Sequence, residues 1–164
     1  MKRKFITICL ALLVLVFSLS ACSLDMFLNF TYSYNDFTFV LPLGFEDDQQ
    51  LADENGFTFV IDNDIEFFCG TIEDKSYLAS EGYEINSLLE YAQAIKYFYG
   101  ISDSINNYGS YYYMTYDSVI DGIDFTYMTC IFENSESYLV ITYYTPSSMF
   151  DEDAVHDYMK GITF

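Results

Sequence analysis

The side chains able to do chemistry are few in kind and uneven in number. There is one histidine in the chain, His156, with Glu152 four residues before it and Asp157 beside it. On a helix that spacing would stabilise a charged imidazole or supply one edge of a metal site. A nucleophilic triad also needs a serine within reach of the base and a third group to orient it. Nothing in the sequence places a serine near His156, so it reads as a solvated surface histidine. The thiols offer no more. Of four cysteines, Cys69 and Cys130 fall inside apolar, strand-like runs, where burial works against a reactive thiolate. No Cys-x-x-Cys occurs, which leaves redox and zinc chemistry without support.

The 25 carboxylates cluster as Glu46-Asp47-Asp48, Asp53-Glu54, Asp62-x-Asp64-x-Glu66, Glu73-Asp74 and Asp151-Glu152-Asp153. Alternating acids on one tight loop can offer several oxygens to a hard cation, so Asp62, Asp64 and Glu66 are candidate Ca²⁺ ligands. The loop lacks both the glycine of the sharp turn and the distant glutamate of a calcium loop. A polar hairpin between solvated acidic faces is the favoured reading. A glycosidase needs two acids close together across a cleft. Among 25 acids a close pair arises by chance, so an envelope hydrolase ranks last.

Tyrosine is the most unusual component, with 17 copies and no tryptophan anywhere. Tyr111-Tyr112-Tyr113 and Tyr116 lie on one strand-like run, and Tyr143-Tyr144 on another. Strand alternation sends Tyr111 and Tyr113 to one face, Tyr112 and Tyr116 to the other. Tyrosine offers large, rigid contact area at small entropic cost. Tyr112, Tyr116, Tyr143 and Tyr144 are therefore the candidate partner surface. The competing reading is that tyrosine is simply a good strand former.

The elements that must position these groups follow from periodicity. Phe37-Thr38-Phe39-Val40-Leu41 and Phe57-Thr58-Phe59-Val60-Ile61 alternate as strands do and are expected to pair with each other. Asp62-Asn63-Asp64 turns the chain into another strand near residues 65–72. Ser87-Leu88-Leu89-Glu90 has capping-box form, and Leu88, Ala92, Ile95 and Tyr99 recur at helical spacing up to Gly100. This predicts the first helix of the domain. Three long strands follow at 110–118, 123–132 and 138–145, the first two joined by Asp121-Gly122. After Pro146, Ser147 or Ser148 is the expected cap of a last helix, in which Val155, Tyr158 and Met159 form the apolar stripe. The class is α+β: a mostly antiparallel sheet of about six strands with helices packed on its faces.

Phe37-Thr38-Phe39-Val40-Leu41-Pro42-Leu43-Gly44-Phe45 resembles the strand-Pro-x-Gly opening of PsbP-like domains. That fold is shared by the photosystem extrinsic subunit, a Ran-binding import factor and many bacterial lipoproteins. The order of elements over 36–164 is similar as well. The resemblance implies an antiparallel sheet covered by helices and a binding or assembly role, and it brings no catalytic signature.

The N-terminus carries a separate message. Met1-Lys2-Arg3-Lys4 is basic, and residues 5–17 form an uncharged apolar run of roughly 20 Å as a helix, short of a ~30 Å bilayer core. Leu19-Ser20-Ala21-Cys22 resembles a bacterial lipobox, in which cleavage between Ala21 and Cys22 is followed by lipidation of the cysteine. Residues 1–21 are accordingly read as a lipoprotein signal peptide, 22–35 as a short membrane tether and 36–164 as a single domain. The expected location is extracytoplasmic, lipid-anchored to a bacterial membrane. Cleavage leaves 143 of the 164 residues and three lysines against all 25 acids, moving the formal charge from −19 to −22. Such a surface has no electrostatic footprint for nucleic acid. An oxidising compartment permits a bridge between Cys69 and Cys130, but free thiols are favoured. The leading expectation is a non-catalytic lipoprotein that binds a partner protein or supports an envelope assembly. A binding module for a divalent cation or small envelope ligand is the alternative.

Overall fold

The computed structural model describes residues 29–164. The signal, cleavage and lipidation assignments, Ala21 and Cys22 included, lie outside the described residues. The architecture is α+β, with two antiparallel sheets and four α-helices among the described residues. Strands β1 (Asn29–Tyr34) and β2 (Phe37–Pro42) form a two-stranded ribbon. The larger sheet contains β3 (Glu46–Asp47), β4 (Phe59–Asp62), β5 (Phe67–Asp74), β6 (Asn106–Asn107), β7 (Tyr112–Ile120), β8 (Ile123–Glu133) and β9 (Ser137–Pro146). Its spatial order is β3-β4-β5-β9-β8-β7-β6, and every neighbouring pair is antiparallel. The helices are α1 (Gln49–Asn55), α2 (Lys75–Ser80), α3 (Leu88–Tyr99) and α4 (Glu152–Lys160).

One face of the large sheet packs against the ribbon and α4. Phe37, Phe39 and Leu41 from β2 meet Phe59, Ile61, Phe68, Ile141 and Tyr143 there, with Val155 and Met159 of α4. Phe37-Thr38-Phe39-Val40-Leu41 alternates because one side faces this core, as its burial alternates too. The expected pairing of β2 with β4 is not found. β2 pairs with β1 instead, and the two similar runs meet face to face, Phe39 and Phe59 lying 5.2 Å apart between ring centroids. Alternation specifies a buried face but not a hydrogen-bonding partner. Likewise, residues 29–34, read as part of the tether, form a full strand in register with β2.

Cross-strand from Phe59 stands Gly70. A Cβ at that position would lie 1.9 Å from a Phe59 ring carbon, so the ring lies where a side chain would otherwise be. Tyr34 stacks on the same ring at 4.3 Å.

The other face carries α1 and α3. Ser87 caps α3, its hydroxyl accepting from the Glu90 N–H, and Gly100 ends the helix in the left-handed region at φ 67°. The reciprocal bond differs by one residue from the capping box, since Glu90 Oε2 accepts from the Asn86 N–H at 2.8 Å. Tyr91, Ala92 and Ile95 bury the helix against Met114, Ile131, Tyr138 and Val140. This helix is not the first of the domain. α1 precedes it, capped by the Asp48 carboxylate, and so does α2, capped by Asp74. Both are too short, at seven and six residues, to show a helical period.

Two further expectations are corrected. Pro146 is followed by a 3₁₀ turn over Ser147–Met149, and Asp151 rather than a serine caps α4. His156 is 3% exposed rather than solvated, because α4 turns it toward β7 instead of away. The Asp121-Gly122 turn is as expected, with φ of 51° and 82°, the left-handed pair that a two-residue hairpin requires.

Candidate functional site

Helix α3 covers only half of its sheet face. It starts over Tyr138, on which Tyr91 stacks at 3.9 Å, and Tyr91 donates to Glu73 Oε2 at 2.8 Å. Its last residue, Tyr99, reaches the opposite half, where the sheet is left open between α1 and α3. There a cavity of about 410 Å³ is floored by Val60, Cys69, Tyr144, Tyr127 and Tyr116, with Leu51 and Tyr99 among its walls.

The floor is organised by register. Phe67 lies opposite Tyr144, Tyr144 opposite Tyr127, and Tyr127 opposite Tyr116. Successive rings stack at 4.8, 5.2 and 5.2 Å between centroids. A four-ring ladder thus crosses β5, β9, β8 and β7. Directly opposed strand positions hold side chains about 4.5–5.5 Å apart, so the rings stack side by side across the sheet, and the Tyr116 hydroxyl turns to Thr129 Oγ1 at 3.3 Å. Burial raises the ionisation of Tyr116, Tyr127 and Tyr144 above the ordinary tyrosine range, keeping all three neutral donors. The groove is therefore mostly apolar with a few neutral hydroxyls, the composition of a binding surface for a peptide or a small uncharged molecule.

The tyrosines singled out by sequence separate here. Tyr116 and Tyr144 line the groove. Tyr112 shares their face but is half-buried beside α3. Tyr143, one position from Tyr144, points into the opposite core at 2% exposure and donates to Glu66 Oε1 at 2.8 Å. It cannot contribute to a partner surface. Sequence reading missed Tyr99, Tyr127 and Phe67. The signal available was the strand parity of Tyr127, which becomes informative only once the β8–β9 register is known.

The acidic loop between β4 and β5 is a self-bonded turn. Asp62 Oδ1 accepts from the Asp64 N–H, and Asn63 Oδ1 accepts from the Ile65 and Glu66 N–H groups. Glu66 is turned away from Asp62 and Asp64, since its oxygens accept from Asn63 Nδ2 and from Tyr143. Among the described residues no three acidic, histidine or cysteine side chains converge as a metal site would require.

His156 is enclosed by aromatic groups. The Tyr108 ring stacks on it at 3.8 Å and Tyr113 meets it edge-on at 4.8 Å. Its Nδ1 lies 2.6 Å from the Tyr111 hydroxyl, and Nε2 lies 3.5 Å from Glu152 Oε1, which also accepts from Tyr113. Nδ1 is held by the Tyr111 hydroxyl, while Nε2 faces the Glu152 carboxylate, and the rings of Tyr108 and Tyr113 cover the imidazole.

Cys69 and Cys130 are free thiols. Cys69 is opposite Thr142, whereas Cys130 is opposite Ile141, so their side chains leave the sheet from opposite faces. No disulfide can join them across that geometry. Burial pushes the Cys69 thiol up to about 11, well away from thiolate at neutral pH.

No family model matches this chain, and no curated protein does. Solved structures do. A protein of Bacteroides thetaiotaomicron aligns with a TM-score of 0.57 and 13% identity over 82% of this chain. The chain spans about half of that protein, 47% of its length. The solution structure of cyanobacterial PsbP (CyanoP) from Synechocystis aligns over 86% of this chain and 95% of its own, with a TM-score of 0.48 and 12% identity. These likenesses concern the fold alone.

Proposed function

We propose that this chain is a membrane-anchored, extracytoplasmic lipoprotein of non-catalytic type, which binds a partner protein or supports an envelope assembly. The observation that carries the reading is the aromatic ladder, three of whose half-buried rings, Tyr116, Tyr127 and Tyr144, line the groove between α1 and α3. Ordered, rigid tyrosines left uncovered by a helix that buries the rest of the same face provide contact area at little entropic cost. The candidate chemical groups support the same reading. The only histidine is sealed by aromatic rings, and the two described thiols are buried in strands.

The test is cross-linking in intact cells followed by pull-down and mass spectrometry. One partner is expected in stoichiometric yield from the wild type and from Tyr77→Ser, a substitution at the far end of the sheet. Tyr99→Ser and Ile120→Ser, both at exposed positions lining the groove, should lose it without a change in Tm. Recovery of no specific protein, or equal recovery with the groove variants, would sink the reading.

A further inference from the structure

The two ends of the large sheet differ in what they expose. One end is marked by the row Asp62, Phe67, Tyr144, Tyr127, Tyr116, beyond which lie the β4–β5 loop, the β7–β8 hairpin tip and the 3₁₀ turn after β9. Chain direction brings the start of the described residues to this end too. Glu46 pairs with Asp62, so the segment leading into β3 lies beside the β4–β5 loop. Gly44 and Glu46 share a small cavity with Asp62 and Asp64, and Asn29 pairs with Pro42 just before it.

Seven apolar side chains project from loops and strand ends at this end: Phe30, Leu43, Ile65 and Met149, with Val119, Ile120 and Ile123 together at the β7–β8 hairpin tip. Each is between 44% and 63% exposed. Phe98, in the last turn of α3, is exposed as well. They do not form a groove. They rim one end of the molecule, which is how apolar side chains meet a surface that yields around them. The opposite end exposes the tyrosines Tyr77, Tyr83 and Tyr108, with Phe164 and Leu89 as its apolar side chains, fewer than rim the first end.

We infer that this rim lies against the lipid bilayer and that the domain stands on the membrane with β5, β8 and β9 rising from it. The inference rests on lipidation at Cys22. From Cys22 to Asn29 the chain has seven steps, which span at most about 25 Å. The apolar end is thereby held within reach of lipid, while β5 carries Asp74 and Tyr77 away from it by roughly another 23 Å. The attraction is apolar rather than electrostatic. The hairpin tip and the β4–β5 loop carry Asp64, Asp121 and Asp124; Lys75 and Lys160 lie elsewhere, and Lys96, in the last turn of α3, is the one lysine near this end, its ammonium held by the carbonyls of Ser102 and Asp103. Anionic headgroups should therefore weaken the contact. The groove opens at this same end, since Ile120 and Tyr99 line it, so a partner held there would also sit near the membrane surface.

The absence of tryptophan makes a clean test. Full-length, cell-processed protein carrying Ile123→Trp, Met149→Trp or Tyr77→Trp is reconstituted into phosphatidylcholine vesicles with and without brominated acyl chains. Intact mass reports whether Cys22 is acylated. The expected result is acylated protein in which the Trp at 123 and at 149 emits to the blue and is quenched, while the Trp at 77 does neither. Acylated protein with all three Trp unquenched, or with the Trp at 77 quenched as strongly, overturns the orientation and leaves the anchor intact. Quenching at 123 and 149 that increases when phosphatidylglycerol is added refutes the apolar basis. Unmodified Cys22 overturns the anchor reading, and the orientation with it.

Discussion

Replacing Gly70 by alanine tests whether the contact between the ribbon and the large sheet is as tight as the geometry requires. A Cβ there would sit 1.9, 2.2 and 2.6 Å from three carbons of the Phe59 ring. All three distances are far inside van der Waals contact, so the ring must move. It has nowhere to go, because Phe59 is fully buried, with Tyr34 stacked at 4.3 Å and Phe39 at 5.2 Å. Overpacking of this kind costs about 1–3 kcal/mol. Losing the stacking geometry adds about 0.5–1.5 kcal/mol. A total near 2–4 kcal/mol corresponds to a fall in Tm of roughly 5–15 °C for a domain of this size. Urea unfolding followed by circular dichroism should show a lower midpoint at unchanged slope. The decisive comparison is Phe59→Leu with and without Gly70→Ala. With the ring gone, the alanine should cost less than about 1 kcal/mol, a coupling that a double-mutant cycle reads directly. If Gly70→Ala is neutral in the wild type, or costs as much in the Phe59→Leu background, the packing argument is wrong.

Other outcomes are equally open to measurement. In protein carrying Cys9→Ser and Cys22→Ser a disulfide-exchange reagent at pH 8 should titrate neither Cys69 nor Cys130 in the folded state and both in denaturant; fast reaction of a folded thiol would contradict their burial. Hydrogen bonds from the Ser76 hydroxyl and the Tyr77 and Ser76 N–H groups lower the ionisation of Asp74. Its contribution to stability should be full above the unfolded value of about 4 and vanish as pH falls through the lower folded value. Asp74→Asn should remove that part of the acid limb, and an unchanged pH profile would refute the cap's role. Burial, then the bond to Glu66, raises Tyr143, and burial, then Glu73, raises Tyr91. Their stabilisation is full below the unfolded value of about 10 and is lost as pH rises toward the higher folded values. Tyrosinate absorbance should therefore show a late fraction that ionises together with unfolding, and a single ordinary transition would count against it.

Local chemistry was enough for much of this chain. Ser87 and Gly100 bracket α3 because capping is settled within one helical turn. Asp121-Gly122 joins β7 to β8 because only residues tolerant of positive φ close a two-residue hairpin. The parity of Tyr111 through Tyr116 separated the two sheet faces, since the strand period is two. The α+β class followed from these elements in order. What tertiary structure alone decided was company. Whether the β2 run pairs with β4 or stacks across from it is invisible to periodicity, because either arrangement buries the same alternate residues. His156 reads as a surface residue beside Glu152 and Asp157. Tyr108 and Tyr111, far away in sequence, meet it only when α4 lies on β7. The ladder of Phe67, Tyr144, Tyr127 and Tyr116 spans 77 sequence positions and exists only through three strand registers. Caps and turns are set by neighbours a few residues apart. A shared surface depends on which distant strands close loops upon one another, and that is a property of the whole packed chain.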